Sequence, residues 1–131
     1  MCLFCKIIAG EIPGTKVYED NDTLAILDIA QTTRGHMLVM PKKHYDNMLQ
    51  MPQEEFKDLM AKAQSLAQKI TTNLDANGIN LLINTNEAAG QTIPHVHVHL
   101  IPRYDENDCI QIGFSENHYD LNEIASQINK N

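Results

Sequence analysis

Apolar and polar positions divide the 131-residue chain into several short runs and one long helical stripe. Phe56, Leu59, Met60, Ala63, Leu66, Ala67, Ile70 and Leu74 recur at helical steps, which puts them along one face of an α-helix. Pro52 at the first helical position, with Glu54 and Glu55 in the positive first turn, predicts its start. Asn77-Gly78, suited to a left-handed cap, predicts its end. Residues 2–9 fit a brief helical stretch ended by Gly10 and the Pro13-Gly14 breaker. Val17-Tyr18 and Thr23 to Asp28 read as two strands around an Asp20-Asn21-Asp22 turn. His36 to Met40 is a strand stopped by Pro41, and Ile79 to Asn84 and His95 to Ile101 are two more. Leu121, Ile124, Ala125 and Ile128 predict a short C-terminal helix. Grouped strands with one central helix predict an α+β fold: a single domain over 1–131, with a mainly antiparallel sheet and short terminal helices. No repeat or Gly/Ser linker divides it.

Composition narrows the function classes. Runs such as Leu81-Leu82-Ile83 fall far short of the roughly 20 apolar residues that span a bilayer, so no membrane partner is expected. Met1-Cys2-Leu3-Phe4-Cys5 carries no basic region ahead of a long apolar one, so a cytoplasmic location is expected. A net charge of −7 argues against wrapping a nucleic-acid backbone. It leaves a mononucleotide open, because a few local donors suffice. Three cysteines, an odd count, argue against a disulfide framework. In a reducing compartment Cys2-x-x-Cys5 points instead to metal or redox chemistry.

The main chemical signal is His95-Val96-His97-Val98-His99-Leu100-Ile101. Alternation along a strand puts three imidazoles on one face and Val96, Val98 and Leu100 on the other. Neighbouring rings at roughly 6.7 Å along the strand can reach a phosphate and its leaving group together. Neutral imidazole is a competent nucleophile near pH 7. Gln91 and Thr92, just ahead of the run, and Asn84 are candidate donors to phosphate oxygens. Two histidines at i, i+2 on a strand can also share a metal, so a zinc-dependent hydrolase using His95 and His97 is the alternative.

The run resembles the signature of the histidine-triad (HIT) superfamily, and the likeness extends over four ordered blocks. Leu3-Phe4-Cys5-Lys6-Ile7-Ile8 with Gly10-Glu11-Ile12-Pro13 is similar to the family's opening segment. Leu27-Asp28-Ile29 resembles its ribose-contacting strand end, and Gly35 to His44 its second block. Asn84 followed by Gly90-Gln91-Thr92-Ile93 resembles the loop before the triad. The branch most similar is that of histidine-triad nucleotide-binding proteins. The resemblance implies a purine nucleotide or nucleotide conjugate as partner, cleaved at the α-phosphate through a nucleotidyl-histidine. His97 would be the nucleophile, oriented by the His95 carbonyl and supported by His36, and His99 would meet phosphate oxygens and leaving group. Asp28 would take the ribose hydroxyls, while Leu3, Phe4, Ile7, Ile26 and Ile29 would enclose the base, with Ile93 a further substrate-binding residue. A related transferase branch carries Gln at the position of His99 and Pro between the first two histidines. Neither occurs here, which favours hydrolysis over transfer.

The resemblance also implies a structural zinc held by Cys2, Cys5, His44 and His95, as in some bacterial members, with no organic cofactor, and a two-fold homodimer. A nucleotide-binding interaction module with vestigial catalysis is a further alternative, although every triad position is filled. Cys109 and His118 have no identifiable partner in the sequence.

Overall fold

Two different helices bury the two faces of one sheet, and the sequence alternation decides which side chain goes to which. In the computed structural model, which describes residues 1–131, the order is α1 (Leu3–Ile8), β1 (Lys16–Glu19), β2 (Thr23–Leu27), β3 (Met37–Pro41), α2 (Gln53–Asn73), β4 (Gly78–Leu82), β5 (Val98–Arg103) and α3 (Leu121–Ile128). The strands lie in the order β1-β2-β3-β5-β4, and every neighbouring pair is antiparallel. This is an α+β fold, as the pattern of runs implies.

α2 packs Leu59, Ala63, Leu66, Ala67 and Ile70 onto one face of the sheet, against Ala25, Met37, Val39, Val96, Val98 and Leu100. α1 packs Phe4 and Ile7 onto the opposite face, against Leu24, Ile26, Leu38 and Met40. Directly paired residues share a face, so Ile26, Leu38, His99 and Leu82 form one row on the α1 side. The histidines therefore emerge beside α1, while the apolar residues between them are held beneath α2.

Several boundaries differ from those expected. β5 begins at Val98, so His95 and His97 precede it. The His95 N–H turns to the Ile93 carbonyl and the Val96 N–H to the Tyr45 carbonyl, outside the ladder. β4 covers Gly78–Leu82 rather than Ile79 to Asn84. β2 stops at Leu27, where the Asp28 N–H meets the His36 carbonyl, and β3 starts at Met37 and includes Pro41. Pro52 occupies the cap position of α2, one residue before the helix. That helix ends at Asn73, and Asp75 at φ 57° makes the left-handed turn expected at Asn77-Gly78. Asp tolerates that conformation better than most residues with a Cβ. α3 forms where expected, capped by the Asp120 carboxylate, but Leu121 and Ile128 are exposed. No helix is long and apolar enough to cross a membrane.

The β2–β3 connection places His36 immediately ahead of β3. Gln31 closes it: its amide nitrogen reaches the carbonyls of Asp28 (2.6 Å) and His36 (2.7 Å), and its oxygen accepts from Gly35 N–H (2.8 Å). Gly35 sits at φ +96°, and a Cβ there would lie 2.4 Å from Leu74 Cδ1 and 3.3 Å from Pro102 Cγ. Left-handed backbone costs on the order of 1–3 kcal/mol for a residue with a Cβ. Gly35→Ala should therefore lower unfolding stability by about that amount, read as a shift of the urea midpoint; an unchanged midpoint would show that the loop relaxes freely.

Candidate active site

Each ring of the histidine cluster has its protons placed by fixed partners. His97 Nδ1 lies 2.7 Å from the His95 carbonyl, which only accepts, so that nitrogen carries hydrogen and Nε2 keeps its lone pair. Thr32 N–H points at His36 Nδ1 (3.3 Å), which makes His36 Nε2 the protonated nitrogen of the neutral ring. His36 Nε2 then donates to His99 Nδ1 at 2.9 Å, which leaves N–H on His99 Nε2. Asp28 Oδ2 stands 3.6 Å from His36 Nε2, too far for a competing bond. The result is one bare nitrogen on His97 and one N–H donor on His99, with ring centroids 5.0 Å apart.

Burial holds these rings neutral. It pushes His36 and His97 below their ordinary value, against the raising effect of Asp28. It pushes His99 down to about 4, helped by His97 and His36. A neutral His97 is what a nucleophile requires.

Both rings open onto a cavity of about 930 Å³. Leu3, Phe4, Ile7, Ile26, Ile29 and Ile93 give it apolar walls, and Asp28, Asn84 and Thr92 reach its rim. That volume lies in the upper part of the range of small-ligand sites, about 300–1,000 Å³, and the lining joins apolar surface to a few convergent polar groups. His36 stands behind His99 rather than in the wall. Gln91 is turned away: its amide meets the carbonyls of Asp46 (2.6 Å) and Ile93 (3.0 Å), and its oxygen accepts from Asn86 N–H (2.8 Å). Its side chain shapes the loop instead of reaching into the cavity.

A second cluster lies behind the first. Sγ of Cys2 and Cys5 and Nδ1 of His44 and His95 approach one another at 3.1–3.6 Å across the five sulfur–nitrogen and nitrogen–nitrogen contacts. Ligand atoms around a tetrahedral zinc stand about 3.3–3.8 Å apart, given Zn–S near 2.3 Å and Zn–N near 2.0–2.1 Å. His95 Nε2 faces the Pro41 carbonyl (2.8 Å) and His44 Nε2 faces Asp46 Oδ1 (2.7 Å). Both outer nitrogens thus carry hydrogen, and two bare Nδ1 atoms face each other at 3.1 Å. Converging lone pairs and thiols of this kind suit a cation between them, and the partners behind the rings are those that orient metal-bound histidine. The residues fit zinc. His97 stands outside the cluster, with its Nδ1 already bonded.

Three contributors to the site carry no clear signal in the sequence. Gln31 has the ordinary look of a loop amide. Asn86 adopts φ 71°, ψ 162°, and its side chain accepts from Asn47 (3.1 Å), tying the loop before the triad to the segment after β3. Thr32 fixes the His36 tautomer with a backbone N–H, for which no side-chain signal exists. The edge-on packing of Phe4 against His97, centroids 4.9 Å apart, is likewise invisible in the sequence.

The family profile described as the HIT domain matches residues 9–106. The chain is 38% identical over 124 residues to an adenosine 5'-monophosphoramidase of Saccharomyces cerevisiae, covering 95% of this chain and 76% of that one. It is 39% identical over 129 residues to an adenylylsulfatase of Arabidopsis thaliana, covering 97% and 65%. Among solved structures, a member of the HIT family from Bacillus subtilis superposes with a TM-score of 0.93 at 42% identity, covering 98% and 95%. A zinc-bound histidine triad family protein from Mycobacterium smegmatis gives 0.77 at 40% identity, covering 81% and 77%.

The burial of His99 has a consequence for stability. An unfolded chain titrates its histidine near 6.5 and the folded one near 4, so the unfolded state binds more protons between those values. The contribution is complete above pH 6.5 and is lost as pH falls through that window. The urea midpoint of the wild type should drop between about pH 7 and about pH 4.5, and that of His99→Gln should drop less. Equal pH dependence in the two proteins would contradict the burial account.

Proposed function

The chain belongs to the HIT domain family, and we propose that it is a hydrolase cleaving purine nucleotide conjugates at the α-phosphate through a covalent intermediate on His97. The observation that carries this reading is the bare Nε2 of a neutral, buried His97 facing the cavity beside the N–H of His99. Relatives named for hydrolysis of an adenosine phosphoramidate and of an adenylyl sulfate support the substrate class.

In the first step His97 Nε2 bonds to the α-phosphorus while the bond to the leaving nitrogen or oxygen breaks. The leaving atom takes the His99 Nε2 proton as it departs. His97 keeps its Nδ1 hydrogen on the His95 carbonyl, so the positive charge that develops on the ring lies against a carbonyl dipole. In the second step water replaces His97 on phosphorus, and its proton returns to His99 Nε2. Nucleoside monophosphate leaves and His97 returns neutral. Asp28 is the candidate acceptor for the ribose hydroxyls, and the apolar walls are the candidate enclosure of the base. Asn84 and Thr92 are the candidate donors to phosphate.

A zinc on Cys2, Cys5, His44 and His95 would supply a crosslink with no open coordination position. The M. smegmatis relative described as zinc-bound supports that assignment. A two-fold homodimer in the cytoplasm completes the reading. β4 is an outer strand with Leu81 and Leu82 exposed, the kind of edge that a second copy covers.

His97→Ala should reduce kcat on adenosine 5′-phosphoramidate by at least about 10³-fold while AMP binding stays measurable. Turnover at the wild-type rate would remove His97 from the chemistry. Asp28→Ala should weaken AMP binding by about tenfold or more and 2′,3′-dideoxy-AMP binding far less. Equal losses for both ligands would place Asp28 away from the ribose.

A further inference from the structure

Phe4 connects the two clusters. It lies between Cys2 and Cys5 in α1, is buried, and meets His97 edge-on with centroids 4.9 Å apart and planes at 77°. It also meets His95 at 6.0 Å and 86°. A single hydrogen bond from Nδ1 holds His97, and one bond does not fix the angle of the ring about it. The Phe4 ring, together with His99 at a centroid distance of 5.0 Å, limits that swing. The same short helix carries Leu3 and Ile7, so α1 supplies both a wall of the cavity and the stop behind the nucleophile.

What holds α1 in place is limited. A helix of six residues does not persist by itself in water. Its attachments are the packing of Phe4 and Ile7 on the sheet and the two thiols beside His44 and His95. The other half of the metal cluster is anchored independently: His95 Nε2 donates to the Pro41 carbonyl and His44 Nε2 to Asp46. Loss of a cation would leave the histidines seated and release the helix that bears the thiols.

We propose that α1 is a metal-operated latch, in which a cation bound by Cys2, Cys5, His44 and His95 seats Phe4 against His97 and Leu3 and Ile7 against the nucleotide. Metal occupancy then sets nucleotide affinity and the alignment of the nucleophile, in addition to any effect on fold stability. Phe4 is the positioning residue in this coupling. The proposal rests on the nucleotide-hydrolase reading for its ligand, but the behaviour of α1 can be measured without it.

The experiment compares the full chain, zinc-loaded and chelator-stripped, by amide hydrogen exchange and by equilibrium binding of AMP. Stripping should speed exchange in residues 3–8 while β3 and β5 stay protected, and should weaken AMP binding by about tenfold or more. In parallel, zinc-loaded Phe4→Leu should retain one zinc per chain yet lose about fivefold or more in kcat on adenosine 5′-phosphoramidate, with a smaller change in KM. Unchanged exchange at residues 3–8, or unchanged AMP affinity, in the stripped protein would overturn the latch. So would loss of protection in β3 and β5 together with α1, since the metal would then hold the whole fold. Wild-type kinetics in Phe4→Leu would remove Phe4 from the coupling and overturn it as well. Failure of the zinc-loaded wild type to bind AMP would instead overturn the nucleotide reading, and the exchange result alone would then decide the latch.

Discussion

Burial of Val96, Val98 and Leu100 beneath α2 determines where three imidazoles go. Those apolar side chains can leave water only on the α2 face, and the period-two geometry of the segment then sends His95, His97 and His99 to the other side. A one-residue slip would put histidine into the α2 core and valine at the cavity. The rest of the site follows from that placement. His99 comes within bonding distance of His36 on β3's leading edge, His97 comes against Phe4, and His95 comes against the two thiols.

His95 serves both clusters with different atoms. Its carbonyl fixes the tautomer of His97, while its ring turns Nδ1 toward the thiols and Nε2 toward Pro41. The converging donor atoms of Cys2, Cys5, His44 and His95 therefore leave out His97, whose Nδ1 is bonded to the His95 carbonyl. Desolvation acts in the same direction on His36, His95, His97 and His99, lowering each below the ordinary imidazole value. Neutral rings with assigned tautomers give the cavity one lone pair and one donor, side by side, without a permanent charge between them.

Much of this was legible in the chain. The Phe56-to-Leu74 stripe locates α2, and the alternation around His97 assigns each side chain to a face. The spacing of Cys2 and Cys5 points to metal or redox chemistry, and the family likeness implies His44 and His95 as companions, the four residues whose donor atoms the fold brings together. Other features depend on contacts that no local pattern encodes. The strand starts three residues later than the alternation suggests because the N–H groups of His95 and Val96 bond to Ile93 and Tyr45, outside the ladder. Asp75 takes the left-handed turn ahead of Asn77-Gly78, so propensity alone chooses the wrong residue. Gln91 fits a phosphate donor by its offset from the triad, yet the backbone of its own loop and of Asp46 engages its side chain. Gln31 and Asn86 act through side-chain amides whose partners no local pattern announces, and Thr32 acts through its backbone N–H, where residue type carries little signal.

The central claim is that phosphorus passes through a bond to His97 Nε2, which requires two successive displacements. The stereochemical course at phosphorus tests it most directly. Hydrolysis of an adenosine 5′-phosphoramidothioate of known configuration in isotopically labelled water should give net retention, because each displacement inverts the centre once. Net inversion would mean that water attacks phosphorus in a single step, and would contradict the covalent role assigned to His97.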